Sequence, residues 1–244
     1  MRPLAAIHHR ASEWALRRAV AMEAISVLDD EPFEVACSLA AGVAYTYRMG
    51  VDGDIAEFGC GAGRSTVALA AAIGMLNARH PQSPKCLWLF DSFEGLPSPS
   101  NPADAVSDHV LNGLWKAGGS RGISRARLER AVRKHLDRQR VAVIPGWYKD
   151  SVARIPSSAR FSLVHIDSQL YESARDVLNG LFSRAMIWPG AYVYFTGYDC
   201  NAANPKHGER LAWAEAVERF KIEFSDQGTY GISGHRFIVH GYRR

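Results

Sequence analysis

The chain has 244 residues, 47% of them hydrophobic and 22% charged, which suits one α/β domain with an ample core and some helical decoration. Its formal charge of +4 at pH 7 is too mild for the concentrated basic stripe of a nucleic-acid binder. No apolar run is long enough to span a bilayer, and the first residues lack the continuous apolar stretch of a signal peptide. Neither nucleic acid nor membrane is therefore an expected partner. Cys37, Cys60, Cys86 and Cys200 have no Cys-x-x-Cys spacing, so buried reduced thiols in a cytoplasmic protein are the expectation.

In chain order, two helices are predicted first, at Ala11–Leu28 and Phe33–Met49, the second stopped by Gly50 and the turn Val51-Asp52-Gly53-Asp54. Strands and helices then alternate. Ile55–Phe58 reads as a strand, Ser65–Ala78 as a helix and Cys86–Phe90 as a strand. A helix at Ser124–Leu136 follows, then strands at Val141–Ile144 and Phe161–Ile166, a helix at Tyr171–Phe182 and a strand at Ala191–Phe195. Leu211–Phe220 is a last helix and His235–His240 a last strand. Apolar strands separated by helices imply an α/β, doubly wound, Rossmann-like sheet covered on both faces; the pattern leaves open whether the last strand is antiparallel. Residues 1–50 are expected to form a helical cap, over the site or in a homodimer interface, and residues 51–244 the main domain. Leu96–Ile123, rich in Ser, Pro, Asn, Asp and Gly, reads as a lid or as a plain surface loop. The basic stretch Arg121–Arg140 has apolar residues at helical spacing and reads as a solvated helix face.

The chemistry concentrates at Asp54-Ile55-Ala56-Glu57-Phe58-Gly59-Cys60-Gly61-Ala62-Gly63-Arg64-Ser65, a strand, a glycine turn and a helix start. Glycines let the backbone turn tightly and approach a ligand, and Glu57 is placed to meet the cationic end of an amino-acid-like ligand. A dinucleotide site needs Gly-x-Gly-x-x-Gly with an acid about 20 residues on. Here Arg64 holds the third glycine's place, and the next strand-end acid, Asp91, lies 30 residues beyond Gly61. Asp91 ends the second strand, where ligands of open α/β sheets bind; it reads as an acceptor for ribose hydroxyls or as a turn cap.

The string Asp91-Ser92-Phe93-Glu94-Gly95-Leu96-Pro97, with Pro145-Gly146-Trp147-Tyr148-Lys149-Asp150-Ser151 and His165-Ile166-Asp167-Ser168-Gln169-Leu170-Tyr171-Glu172-Ser173, resembles the macrocin O-methyltransferase family. The resemblance implies a class I fold with S-adenosyl-L-methionine as methyl donor and S-adenosyl-L-homocysteine as product. It implies a cofactor site of Glu57, Gly59, Gly61, Ser65, Asp91, Ser92 and Phe93, with Gly146 and Trp147 near the adenine; Trp147 reads equally well as a core residue. It further implies a small-molecule acceptor, a sugar or another natural product.

The resemblance also implies three magnesium-binding aspartates and an aspartate base, and here the chain departs. Asp167 is kept, but Gln169 stands at the base position and Thr196-Gly197-Tyr198 where Asp-Asp-Tyr belongs. Magnesium prefers hard oxygen ligands, usually with carboxylates, so no metal is expected. Asp167, Gln169 and His165 remain as catalytic candidates and Thr196, Tyr198 and His109 as acceptor-binding ones, with His207 a further histidine within reach of the acceptor. O-methylation is the family default, and the lost metal favours N-methylation. A non-catalytic S-adenosylmethionine-binding protein and an NAD-dependent oxidoreductase are the alternatives.

Overall fold

The computed structural model describes residues 30–243; the expected helix Ala11–Leu28 lies outside the described residues. The elements are α1 (Asp30–Arg48), β1 (Asp54–Phe58), α2 (Arg64–Arg79), β2 (Leu87–Asp91), α3 (Pro102–Ala105), α4 (Asp108–Leu111), α5 (Arg125–Val132), β3 (Val141–Pro145), α6 (Tyr148–Ser151), β4 (Phe161–Ile166), α7 (Tyr171–Ser183), β5 (Ile187–Phe195), α8 (Gly208–Phe220), β6 (Glu223–Tyr230) and β7 (Gly234–Gly241). The strands form one seven-stranded sheet in the order β3-β2-β1-β4-β5-β7-β6. β1 to β5 pair in parallel, and β7 runs antiparallel between β5 and β6. The dinucleotide-binding order is 3-2-1-4-5-6, so the strand inserted next to β5 separates this sheet from that fold.

Side chains alternate across a strand, and each face of the sheet therefore gathers its own core. Phe58, Phe90, Val164, Ile166 and Phe195 pack with Leu178 and Phe182 of α7 and Trp213 and Phe220 of α8. Ile55, Leu87, Leu89, Leu163 and Tyr194 pack with Leu39 and Val43 of α1, Leu69 and Ile73 of α2, and Leu128 and Val132 of α5. α1 reaches this face through Gly42. A Cβ there would stand 2.6 Å from the Tyr194 hydroxyl and 2.9 Å from Leu163 Cδ1, and Tyr194 donates to the Ser38 carbonyl at 3.1 Å. Gly42→Val should therefore cost about 1–3 kcal/mol through overpacking, read as a lower denaturant midpoint at unchanged slope.

β6 is the strand that sequence patterning missed. Glu223-Phe-Ser-Asp-Gln-Gly-Thr-Tyr230 is mostly polar and largely exposed, and its pairing with β7 is interrupted between Asp226 and Thr229. An edge strand paired on one side needs no apolar face, so no alternation announces it. Of the cysteines only Cys60 is buried; Cys86 and Cys200 are half-buried and Cys37 is exposed, which corrects the expectation of buried thiols. The 96–123 segment is not structureless, since it holds α3 and α4. Its buried Asp104 accepts from the Tyr171 and Glu172 N–H groups at 2.7 and 3.0 Å, capping α7 from a distance.

Candidate functional site

β1 delivers the chain into a turn in which Gly59, Gly61 and Gly63 all have positive φ, at 96°, 45° and 82°. At Gly59 glycine is required twice over, because a Cβ would also lie 2.1 Å from the Asp167 carbonyl oxygen of the neighbouring strand's loop. Gly61 faces open space. Asp91 organises this turn from the end of β2. Its Oδ2 accepts from the Cys60 and Gly61 N–H groups at 2.7 and 3.3 Å, and its Oδ1 from Phe93 N–H at 2.7 Å. Asp91 is thus a turn cap. A carboxylate has about four lone-pair sites, so with three taken there is room for one hydroxyl donor on the open side.

That open side is a cavity of about 500 Å³, within the usual range for a small-molecule site. It is lined by Gly59, Gly61, Asp91 and Ser92, by Gly146, Trp147 and Lys149, by Asp167 and Gln169, and by Gly95–Ser98, Ser100 and Ser120 from the segment after β2. α7 adds Glu172, Ser173 and Asp176, residues to which sequence reasoning assigned no role. Of the four carboxylates here, Glu172 and Asp176 are both paired with Arg175 at 3.1 Å, which leaves Asp91 and Asp167 opposite Lys149. The carboxylate of Asp91 beside Gly59 and Gly61 disfavours a pyrophosphate at the turn, which argues against the dinucleotide alternative.

Eight sequence-predicted site residues meet at this wall: Gly59, Gly61, Asp91, Ser92, Gly146, Trp147, Asp167 and Gln169. The others do not. Ser65 sits in the first turn of α2, and Phe93 packs against the core beneath α2 and α5. Glu57 is fully buried; it accepts from the Thr66 hydroxyl and pairs with His165 Nδ1 at 3.0 Å. His165, also fully buried, engages Thr196 Oγ1 through Nε2 at 2.7 Å. Burial pulls the His165 pKa down, but the hydrogen bond and charge of Glu57 outweigh it, and the net shift is upward. With both ring nitrogens engaged and no exposed surface, His165 cannot serve as a base on an acceptor. Glu57 likewise cannot meet a ligand directly, because the alternation that buries Phe58 on one sheet face turns Glu57 into the polar seam under α2. Tyr198 packs on His235, Phe237 and Arg210. His109 stacks on Trp115, and its Nδ1 accepts from Asn201 N–H at 3.0 Å, so it ties the 96–123 segment to the loop after β5 instead of facing the cavity. His207 Nδ1 lies 3.3 Å from the Ala103 carbonyl.

Behind Gln169 stands Glu209, which no motif announced. It is fully buried. Its Oε1 accepts from Ser168 N–H, Ser168 Oγ and Gln169 N–H at 2.9, 3.2 and 3.1 Å, and its Oε2 from Gly197 N–H at 2.8 Å. Burial and the charge of Asp167 push its pKa up to about 7, while the three backbone donors pull it down.

The sequence matches the family described as macrocin O-methyltransferase (TylF) over residues 37–217. The chain belongs to this family. Among its relatives is the 8-demethyl-8-(2,3-dimethoxy-alpha-L-rhamnosyl)-tetracenomycin-C 4'-O-methyltransferase of Streptomyces olivaceus, 29% identical over 189 residues, 75% of this chain and 61% of the relative. The demethyldecarbamoylnovobiocin O-methyltransferase of Streptomyces niveus is 29% identical over 150 residues, 61% of this chain and 53% of the relative. The chain thus spans 61% and 53% of these relatives' lengths. The O-methyltransferase NovP has the same fold, with a TM-score of 0.69 at 20% identity over 86% of this chain and 81% of that one. So does the calicheamicin methyltransferase CalS11, with a TM-score of 0.62 at 20% identity over 93% and 92%.

Measured against a macrocin O-methyltransferase metal site, the donor atoms of this chain do not fit. Thr196 Oγ1 is engaged by His165, Gly197 has no side chain, and Asp199 pairs with Arg210 at 2.6 Å. Among the described residues no three His, Cys, Asp or Glu side chains come together as a set that could hold a metal ion. Asp167 stands at the wall beside an amide, Gln169, a donor set that magnesium disfavours.

Proposed function

We propose that the chain is an S-adenosylmethionine-dependent O-methyltransferase acting without a metal on a hydroxyl of a small natural product, in the first place a glycosylated one. The observation that carries this reading is the cavity, lined by Asp91 and Asp167, at the Asp91-held glycine turn in a chain of the macrocin O-methyltransferase family. When bound, S-adenosylmethionine supplies a methyl group already activated on a sulfonium centre. The turn at Gly59 and Gly61 would allow its close approach, Asp91 would accept from a ribose hydroxyl, and Gly146 and Trp147 would hold the adenine end. Transfer then depends on holding the acceptor oxygen in line at about 3–3.5 Å. Gln169 would orient the acceptor, and Asp167 would take the proton of its hydroxyl, the leaving group being S-adenosylhomocysteine. The 96–123 segment, pinned at Asp104 and His109, acts as a lid that excludes water.

The relatives' names support oxygen as the methylated atom, since they are described as O-methyltransferases of a rhamnosylated tetracenomycin and of demethyldecarbamoylnovobiocin. The test is methyl transfer from labelled S-adenosylmethionine to a panel that includes demethyldecarbamoylnovobiocin, matching aglycones and simple amines, with products read by mass spectrometry. Methylation of the glycosides is expected. Methylation of amines alone would overturn the oxygen assignment, and S-adenosylhomocysteine binding without any transfer would favour a non-catalytic binder. Excess chelator should leave turnover unchanged; a rate that falls with chelator and returns with magnesium would overturn the metal-independent reading.

A further inference from the structure

We propose that Glu209 is a positioning residue for methyl transfer, whose buried carboxylate locks the loop after β4 to the loop after β5 and so fixes the acceptor side of the cavity. The inference rests on the methyltransferase reading above, and it concerns a residue outside every motif that led to that reading.

Four donors converge on this carboxylate, three from Ser168 and Gln169 on the β4 loop and one from Gly197 on the β5 loop. All are N–H or O–H groups, so the arrangement is complementary to the ionised form. The local backbone is shaped around it. Gly208, at φ 57°, turns the chain into α8 so that Glu209 points inward, and a Cβ at Gly208 would lie 3.3 Å from the Gln169 carbonyl oxygen. Gln169 is itself held at φ 65°, a left-handed conformation that persists in non-glycine residues where surrounding contacts over-determine it. Glu209 supplies such a contact at the Gln169 N–H, and the Gln169 side chain, accepting from Ser120 Oγ at 3.3 Å, then ties the β4 loop to the 96–123 segment, both of which line the cavity. Asp167 precedes the two clamped residues and lines the same wall. The first turn of α8 favours a carboxylate, yet a fully buried one is a costly way to hold two loops if stability were the only requirement. The loops it joins are the two that carry the residues aligned with the family's acceptor-side aspartates. Here hydrogen bonds to a side chain provide the link that the donor atoms at Asp167, Thr196 and Gly197 cannot provide through a metal.

Glu209→Gln tests this. Glutamine keeps the size, but its NH2 must face an N–H donor on one loop or the other, so one side of the clamp opens. With the whole protein, the expected result is S-adenosylhomocysteine affinity within about threefold of wild type and a melting temperature that leaves the variant folded. Amide exchange should be at least about tenfold faster at Gln169 and Gly197, with no change at Cys60 and Gly61. With demethyldecarbamoylnovobiocin as acceptor, kcat should fall about 100-fold while KM for S-adenosylmethionine stays within about threefold. Ser168→Ala, which removes only the Oγ bond, should move kcat the same way by a smaller factor. Unchanged exchange at Gln169 and Gly197 would overturn the clamp. Parallel loss of donor affinity, melting temperature and kcat would reduce Glu209 to a structural residue and overturn the positioning role. If the wild-type chain methylates no acceptor, the activity fails and the positioning role with it, while the exchange measurement separately decides the clamp.

Discussion

Asp91→Ala should weaken S-adenosylhomocysteine binding by about 100-fold or more. The carboxylate is half-buried and bonds to three backbone N–H groups, at Cys60, Gly61 and Phe93. It also lines the cavity. A hydrogen bond to a charged group contributes about 1.5–3 kcal/mol, and each 1.4 kcal/mol is a factor of ten in affinity. Removing the side chain loosens the glycine turn and deletes the ribose acceptor together, so two such bonds suffice for the stated loss even after a discount for solvent at the cavity mouth. Asp91→Asn should fall between wild type and alanine, because its NH2 must face one of the N–H donors. Calorimetry with S-adenosylhomocysteine decides: affinity within about threefold of wild type for the alanine variant would remove Asp91 from the donor site.

Glu57→Ala should instead act on stability. Its carboxylate lies in a chain, Thr66 to Glu57 to His165 to Thr196, that crosses from α2 through β1 and β4 to the end of β5, with the first three residues fully buried and Thr196 half-buried. Removing one partner of a buried pair strands the other, at a cost of about 3–5 kcal/mol, or roughly 6–20 °C in melting temperature for a domain of this size. An unchanged melting temperature with weakened S-adenosylhomocysteine binding would restore the direct ligand role for Glu57 that sequence reasoning suggested. The same pair gives wild-type stability a pH dependence. Burial alone would lower the His165 pKa, but the hydrogen bond and charge of Glu57 carry it above its ordinary 6.5. The stabilisation is therefore fully present below 6.5 and is lost as the pH rises through the higher folded value. In Glu57→Ala that fall of melting temperature with rising pH should disappear.

The donor half was readable because its signals are local. A tight turn at the end of β1 needs glycines within five residues, and a strand-end acid is visible as the residue after an apolar run. The strands β1 to β4 were readable for the same reason, since each carries a short apolar-rich run between turn residues, such as Leu87–Phe90 in β2 and Val141–Ile144 in β3. β6 was not, because an exposed edge strand takes its identity from β7 and not from its own side chains. The acceptor half depends on approach in space. Nothing near Glu209 in the chain marks it as the partner of Ser168 some forty positions away, and Asp104 gave no sign that it would cap α7.

By itself, then, the sequence determined the alternating α/β order, the glycine turn at Gly59–Gly63, the acid at Asp91 and the absence of aspartates at Thr196 and Gly197. All of these are properties of residue type and short spacing. Only the tertiary structure decided which polar residues face the cavity and which are sealed beneath it. Glu57 and His165 pair with each other because the parallel pairing of β1 with β4 sets them side by side in register. Glu209 meets both acceptor loops because α8 packs against α7 beneath the ends of β4 and β5. Sheet register and helix packing are long-range outcomes of burying the two apolar faces, and the role of a polar side chain follows from where that burial leaves it.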